Sequence, residues 1–326
     1  MDAIETVGLT KKFDSLTAVD SLNLSIPQGE VFGLLGPNGA GKTTTLNILC
    51  TILRPTFGFA KVNGVDVMKD PDAVRKSIGI VFQDPALDVR LTARENLEMH
   101  AELYEVDSEV ASKRITELLA LVELDSRAND LVKTYSGGMK RRLEIARGLI
   151  HHPSVLFLDE PTIGLDPQTR SKIWGHIERL SKEEDITIVL TTHYMEEAEK
   201  LCDRVGIIDH GKIVALGKPS ELIHSVGEDI ASLTLEDNSK AKEFESLKSV
   251  KKVFVGETVR LVLVDGASSV PSLFDFAAKK GIKIRSLTLQ TPTLNDVFLH
   301  FVGREIREEH ADGKTLMRLR MRRRGM

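Results

Sequence analysis

The sequence predicts an α/β layered domain that carries an antiparallel β subdomain and an inserted helical subdomain, with a small C-terminal α+β accessory unit. Three observations lead there. The apolar run Val31-Phe32-Gly33-Leu34-Leu35 suits a strand buried on both faces, and it passes straight into a glycine-rich loop. Helical and strand-like periods then alternate as far as residue 216, the pattern of a sheet covered by helices. After Gly217-Lys218-Pro219 the pattern changes to short strands interleaved with two helices.

In chain order, residues 4–9 and 22–26 alternate as antiparallel strands, with Pro27-Gln28-Gly29 as the turn after the second. The buried strand 31–35 follows. Residues 93–149 are dominated by helical periods, including 111–122 and 140–150. Buried strands return at 154–158 and 186–191, then a helix at 195–202 and strands at 205–208 and 212–216. The second unit reads as strand 231–235, helix 240–247, strands 250–255 and 259–264, helix 270–280 and strand 283–289. An amphipathic closing helix, 293–302, would seal that unit. The expected boundaries are therefore 1–224 for the first domain, with its helical insertion over about 84–150, 225–303 for the accessory domain, and 304–326 for a charged tail.

Composition narrows the function classes. The 326 residues are 41% hydrophobic and 28% charged, which excludes disorder throughout. A net charge of −4 gives no overall attraction for nucleic acid, so no specific nucleic-acid partner is expected. The only cysteines, Cys50 and Cys202, sit in apolar helix-like stretches and read as small core residues of a protein from a reducing compartment. The N-terminal segment lacks the basic-then-apolar order of a leader, and no apolar run approaches the ~20 residues that span a bilayer. A cytosolic location is expected, with any membrane work done by a partner.

The glycine-rich loop carries the first chemistry. Gly36-Pro37-Asn38-Gly39-Ala40-Gly41-Lys42-Thr43 fits G-x-x-x-x-G-K-[ST] between a strand and a helix, so the fold is a P-loop NTPase. Its backbone N–H groups would curl around phosphate, with Thr44 continuing the cradle. Lys42 would add a point charge and the Thr43 hydroxyl would ligate Mg²⁺. A glycine-rich turn that merely ends in Lys-Thr is the bland alternative, and the strand-loop-helix context disfavours it. Further on, Val155-Leu156-Phe157-Leu158-Asp159-Glu160 is an apolar strand ending in adjacent carboxylates. Asp159 is the metal-side acid, and Glu160 is placed to orient or deprotonate an attacking water. By itself this could be a strand end followed by a turn; beside the loop it is a catalytic pair.

Tyr135-Ser136-Gly137-Gly138-Met139-Lys140-Arg141-Arg142 opens a helix before that strand. Ser136 and two glycines at a helix N-terminus make a second anion site, which cannot serve a phosphate the first loop already surrounds. Two anion sites on one chain suggest two chains sharing each nucleotide. An ordinary N-cap with flexible glycines is the alternative reading.

This segment resembles the signature of ATP-binding cassette (ABC) proteins, and the order of motifs agrees from about residue 4 to 225. The resemblance implies ATP and Mg²⁺ as cofactors and a homodimer in the ATP-bound state. It also implies roles for single residues. Gln83 matches the glutamine that senses Mg²⁺ and water, Asp166 in Gly164-Leu165-Asp166-Pro167 the acid that feels the other subunit's site, and His193 the switch histidine at the γ-phosphate. Phe13 stands where the family has a ring stacked on adenine, although a core phenylalanine reads equally well. Tyr135 and Met139 replace the commoner leucine and glutamine without removing Ser136 or the glycines.

The signature, with Thr291-Pro292-Thr293-Leu294-Asn295-Asp296-Val297-Phe298-Leu299 and Gly303-Arg304, is similar to daunorubicin-resistance type ATP-binding subunits. That resemblance implies an ATPase that drives export of drugs, lipids or polymers through a separate integral membrane permease, from the cytoplasmic face of the membrane. An importer ATPase, or a non-transport cassette in DNA repair or translation, are the rival readings. Arg318, Arg320, Arg322, Arg323 and Arg324 in the tail suit either contact with anionic lipid or plain solvation.

Overall fold

Alternation of apolar and polar residues sets the first elements. In the computed structural model, which describes residues 2–183, 186–227, 229–256 and 258–302, strands β1 (Asp2–Phe13) and β2 (Leu16–Pro27) pair as an antiparallel hairpin. Along β2, Leu22, Leu24 and Ile26 point inward while Ser21, Asn23 and Ser25 face water. β3 (Val31–Leu35) is buried at every residue and ends in the phosphate-type loop and α1 (Lys42–Leu49). β4 (Phe57–Val62) and β5 (Val65–Asp66) complete a sheet of order β2-β1-β4-β5. Asp70 caps α2 (Pro71–Ser77), with Pro71 in the first turn, and β6 (Ile78–Val81) follows.

The insertion lies between β6 and the next strand of the same sheet. α3 (Ala93–Leu103) starts with a capping box in which Thr92 and Glu95 bond each other's backbone N–H. α4 (Ser108–Leu121) is capped by Asp107, and α5 (Gly137–Gly148) by Ser136. The chain then runs through β7 (Val155–Asp159), α6 (Pro167–Glu183), β8 (Thr187–Thr192), α7 (Met195–Leu201), β9 (Arg204–Asp209), β10 (Lys212–Gly217) and α8 (Pro219–Val226). The central sheet has the order β10-β9-β3-β8-β7-β6, parallel except for the β9–β10 hairpin. The carboxyl ends of β3, β7 and β8 therefore open at one edge, the usual ligand side of a parallel sheet.

The remaining residues build β11 (Asp229–Leu235), β12 (Val250–Val255), β13 (Val259–Leu263), α9 (Gly266–Lys280), β14 (Ile284–Gln290) and α10 (Leu294–Val302). The four strands form an antiparallel sheet of order β12-β13-β11-β14 over its own apolar cluster, which includes Leu233, Phe244, Leu261 and Leu273.

Several expectations need correction. The helix expected at 240–247 is a 3₁₀ helix, Asn238–Ser246, with Ala241 and Phe244 buried one three-residue turn apart. α6 and α8 are additional helices in stretches that carry no expected element. The closing helix α10 does not seal the accessory unit: its buried Leu294, Val297 and Phe298 belong to the core of the first domain, beside α7 and α8. Its start is tied there too, because the Leu294 amide donates to Glu199 Oε1 at 2.7 Å. Gly303, Arg304 and the arginine-rich tail lie outside the described residues.

Candidate nucleotide-hydrolysis site

The loop after β3 can coil tightly because its glycines accept what other residues cannot. A Cβ at Gly36 would stand 2.3 Å from the Ile208 carbonyl oxygen. Gly41 has φ of 109° and the same 2.3 Å approach to Ala18 O. Lys42 opens α1 and folds back over the loop, where Nζ donates to the carbonyls of Gly36 at 2.7 Å and Pro37 at 3.2 Å. The loop closes further through Ala40 N–H to Pro37 O at 3.2 Å.

The ends of β7 and β8 bring the acids to it. Asp159 is buried; its Oδ1 accepts from the Thr43 hydroxyl at 3.3 Å and from the Thr191 hydroxyl. Glu160 follows with φ of 45°, a left-handed conformation uncommon for a residue with a Cβ and of the kind that clusters at functional sites. Its amide is held by Thr191 Oγ1 at 3.0 Å. Its carboxylate lies between Lys42 Nζ at 3.3 Å and His193 Nδ1 at 3.1 Å, so the ring proton facing it sits on Nδ1. Burial pushes the Glu160 pKa up, but the His193 hydrogen bond and the Lys42 charge outweigh it and the carboxyl stays below the usual glutamate value. Burial pulls Lys42 below the usual lysine value, with Glu160 and Asp159 opposing.

A cleft of about 420 Å³ opens here, lined by Phe13, Asn38, Gly39, Gly41, Lys42, Thr43, Thr44, Gln83 and Glu160. Phe13 is 41% exposed, with Lys11 Nζ 4.9 Å above its ring, so the core-residue reading of it falls. Gly36, Pro37 and Ala40 shape the loop behind this wall without lining it. His193 borders an adjoining cavity with Arg170 and Tyr194 and meets the cleft only through Glu160.

Ser136, Gly137, Gly138 and Asp166 do not line this cleft. Ser136 caps α5, accepting from the Met139 amide at 3.3 Å, and Ser136 and Gly137 are solvent-exposed. Asp166 is exposed and accepts from the Thr169 amide and hydroxyl at 3.0 and 2.6 Å at the start of α6. Leu16, Ala18 and Ile163 add apolar walls that the motifs do not single out. Thr191, which holds both Asp159 and Glu160, is likewise missed; its only sequence signal is its place at the end of a buried strand.

Thr43 and Gln83 line the cleft and the buried Asp159 reaches it through the Thr43 hydroxyl; oxygen donors of this kind fit Mg²⁺ completed by water and phosphate oxygens rather than an all-protein cage.

Comparison with known proteins gives the family. A family model described as ABC transporter matches residues 19–163, and one described as ATP-binding protein DrrA1-3-like, C-terminal domain, matches 217–302. The chain is 40% identical over 310 residues to the daunorubicin/doxorubicin resistance ATP-binding protein DrrA of Streptomyces peucetius, covering 92% of each. It is 39% identical to the linearmycin resistance ATP-binding protein LnrL of Bacillus subtilis, over 94% of this chain and 100% of that one. The Nod factor export ATP-binding protein I of Ralstonia nicotianae is 38% identical, over 92% and 94%. Among solved structures, cbiO1 of Clostridium perfringens, part of the ABC transporter complex cbiONQ, superposes with a TM-score of 0.65 at 30% identity, covering 68% of this chain and 91% of that one. The dimeric post-hydrolysis state of the cassette MJ0796 bound to ADP and Pi gives 0.59 at 31% identity, covering 66% and 98%. A nucleotide-binding loop, an acidic strand end and a signature helix on a full-length match of this kind leave one conclusion: the chain belongs to the ABC transporter ATP-binding family, as an ATPase with a DrrA-like C-terminal domain.

Proposed function

We propose that this chain is the ATP-hydrolysing motor of an exporter whose membrane-spanning part is a separate permease. The observation that carries the reading is the buried Lys42–Glu160–His193 contact in the wall of the loop cleft, which none of the signature residues lines. Each ATP would lie between residues 36–44 of one protomer and 136–138 of its partner, so that the nucleotide joins two chains. Phosphate in the loop competes with Glu160 for Lys42 and frees the carboxylate to take a proton from water in line with the γ-phosphate. His193 keeps that carboxylate oriented through Nδ1 and would stand as the switch residue beside the transferred phosphoryl group. Phe13 would stack on the base, and Asp166 would report across the dimer. Mg²⁺, held by Thr43, Gln83 and the Asp159 side, would neutralise charge on the β- and γ-phosphates.

Export rather than import is supported by relatives named for resistance or export and by the match of the C-terminal unit to the DrrA-like model. The motor would dock on the cytoplasmic side of that permease; no described helix is long and apolar enough to cross a membrane. The test is to purify the Glu160→Gln variant from its native membranes in Mg-ATP and identify by mass spectrometry what accompanies it. A reproducible polytopic membrane protein is expected. Recovery with ribosomes or nucleic acid instead, and with no membrane protein, would sink the transport reading while leaving the ATPase intact.

A further inference from the structure

Arg141 lies on α5, at the second turn after Ser136, and is 7% exposed. A buried guanidinium needs its donors satisfied. Its Nε donates to Pro161 O at 2.7 Å, its Nη2 to Asp159 O at 2.8 Å, and its Nη1 to Phe82 O. Two of these carbonyls flank Glu160 and the third precedes Gln83. The peptide that enters Glu160 and the carbonyl of Pro161 just after it are thus gripped from α5, while Thr191 holds the Glu160 amide from β8. One turn further along α5, the fully buried Glu144 accepts from the Ala86 amide at 2.7 Å and pairs with Arg147 at 2.9 Å. The helix that begins at Ser136 therefore fixes main chain before and after Gln83 and around Glu160.

We propose that Arg141 is a positioning residue for hydrolysis: it holds Glu160 in its left-handed conformation and couples that geometry to the helix whose N-terminus carries the signature. The inference rests on the reading of Glu160 as the base. A flat fork with several donors can serve three carbonyls at once, whereas an ammonium on a flexible stem is a point charge that cannot reproduce the pattern. Loss of the clamp lets the carboxylate swing from its in-line position without altering the phosphate loop.

The experiment measures kcat, KM and nucleotide Kd for Arg141→Lys and Arg141→Gln in the full chain with Mg-ATP, with Glu160→Gln alongside. Arg141→Lys is expected to lower kcat roughly 10- to 100-fold with KM and Kd within about two-fold of wild type, the split expected when only transition-state geometry is lost. Arg141→Gln, which keeps fewer donors, should lose more. If Arg141→Gln does not fold, Arg141→Lys, which keeps the buried charge, carries the test. A wild-type kcat in Arg141→Lys overturns the proposal, and so does a loss of ATP binding in step with kcat, which would make Arg141 a structural residue only. Turnover by Glu160→Gln would instead remove the base assignment, a separate result.

Discussion

Phe298 on α10 is fully buried, together with Leu294 and Val297, in the same apolar core as Trp174. Truncation by Phe298→Ala removes a whole ring from a site with no solvent access, and such deletions cost about 3–5 kcal/mol. For a folding unit of this size that corresponds to a fall in Tm of roughly 6–20 °C. Trp174 is the only tryptophan, is 8% exposed, and donates from its indole to Glu197 Oε1 at 2.9 Å, so its fluorescence reports melting of this core. Phe244→Ala is the matched control, since Phe244 is equally buried but belongs to the accessory cluster. Phe298→Ala should shift the Trp174 transition by the full amount, and Phe244→Ala far less. An unchanged Trp174 midpoint in Phe298→Ala would refute the assignment of α10 to the first domain.

Three further outcomes follow from single contacts. Gly36→Ala puts a methyl 2.3 Å from the Ile208 carbonyl, so the loop must shift and ATP affinity, read by equilibrium dialysis, should drop by an order of magnitude or more. Tyr135, the residue that replaces the signature leucine, donates from its hydroxyl to Arg127 O at 2.7 Å; Tyr135→Phe should cost about 1 kcal/mol in urea unfolding and leave kcat unchanged. His100 is held down to about 4 by burial first, then by Arg147 and His151. A histidine with a lowered folded-state pKa contributes stability that is complete above its ordinary 6.5 and is lost as pH falls from 6.5 towards 4. Urea midpoints should therefore fall across that window in wild type and fall less in His100→Phe.

What could be read from the sequence was local. Glycines 36, 39 and 41 with Lys42, and Asp159-Glu160 at an apolar strand end, announce their conformations by residue type and spacing. Helix α6 is also locally marked, since Asp166 before Pro167 is a start signal and Ile173, Ile177 and Leu180 follow helical spacing; with Pro161, Gly164 and Pro167 at its entry, the stretch reads first as loop. α8 is masked in the same way by Gly217-Lys218-Pro219. Arg141 carries no local signal, because within Lys140-Arg141-Arg142 it looks like part of a solvated basic face. Only the tertiary approach of the strand ends before Gln83 and around Glu160 supplies three carbonyls and turns it inward. The apolar stripe of α10 says that the helix must be covered and is silent on which of two cores covers it.

The central claim is that this chain hydrolyses ATP with Glu160 as the base at the Lys42 loop. The most direct measurement is phosphate release and ATP binding by purified Glu160→Gln against wild type under the same Mg-ATP. The account predicts ATP bound with wild-type affinity and turnover lowered by at least about 10²-fold, with the bound ATP recovered intact. Steady hydrolysis by Glu160→Gln near the wild-type rate would contradict it.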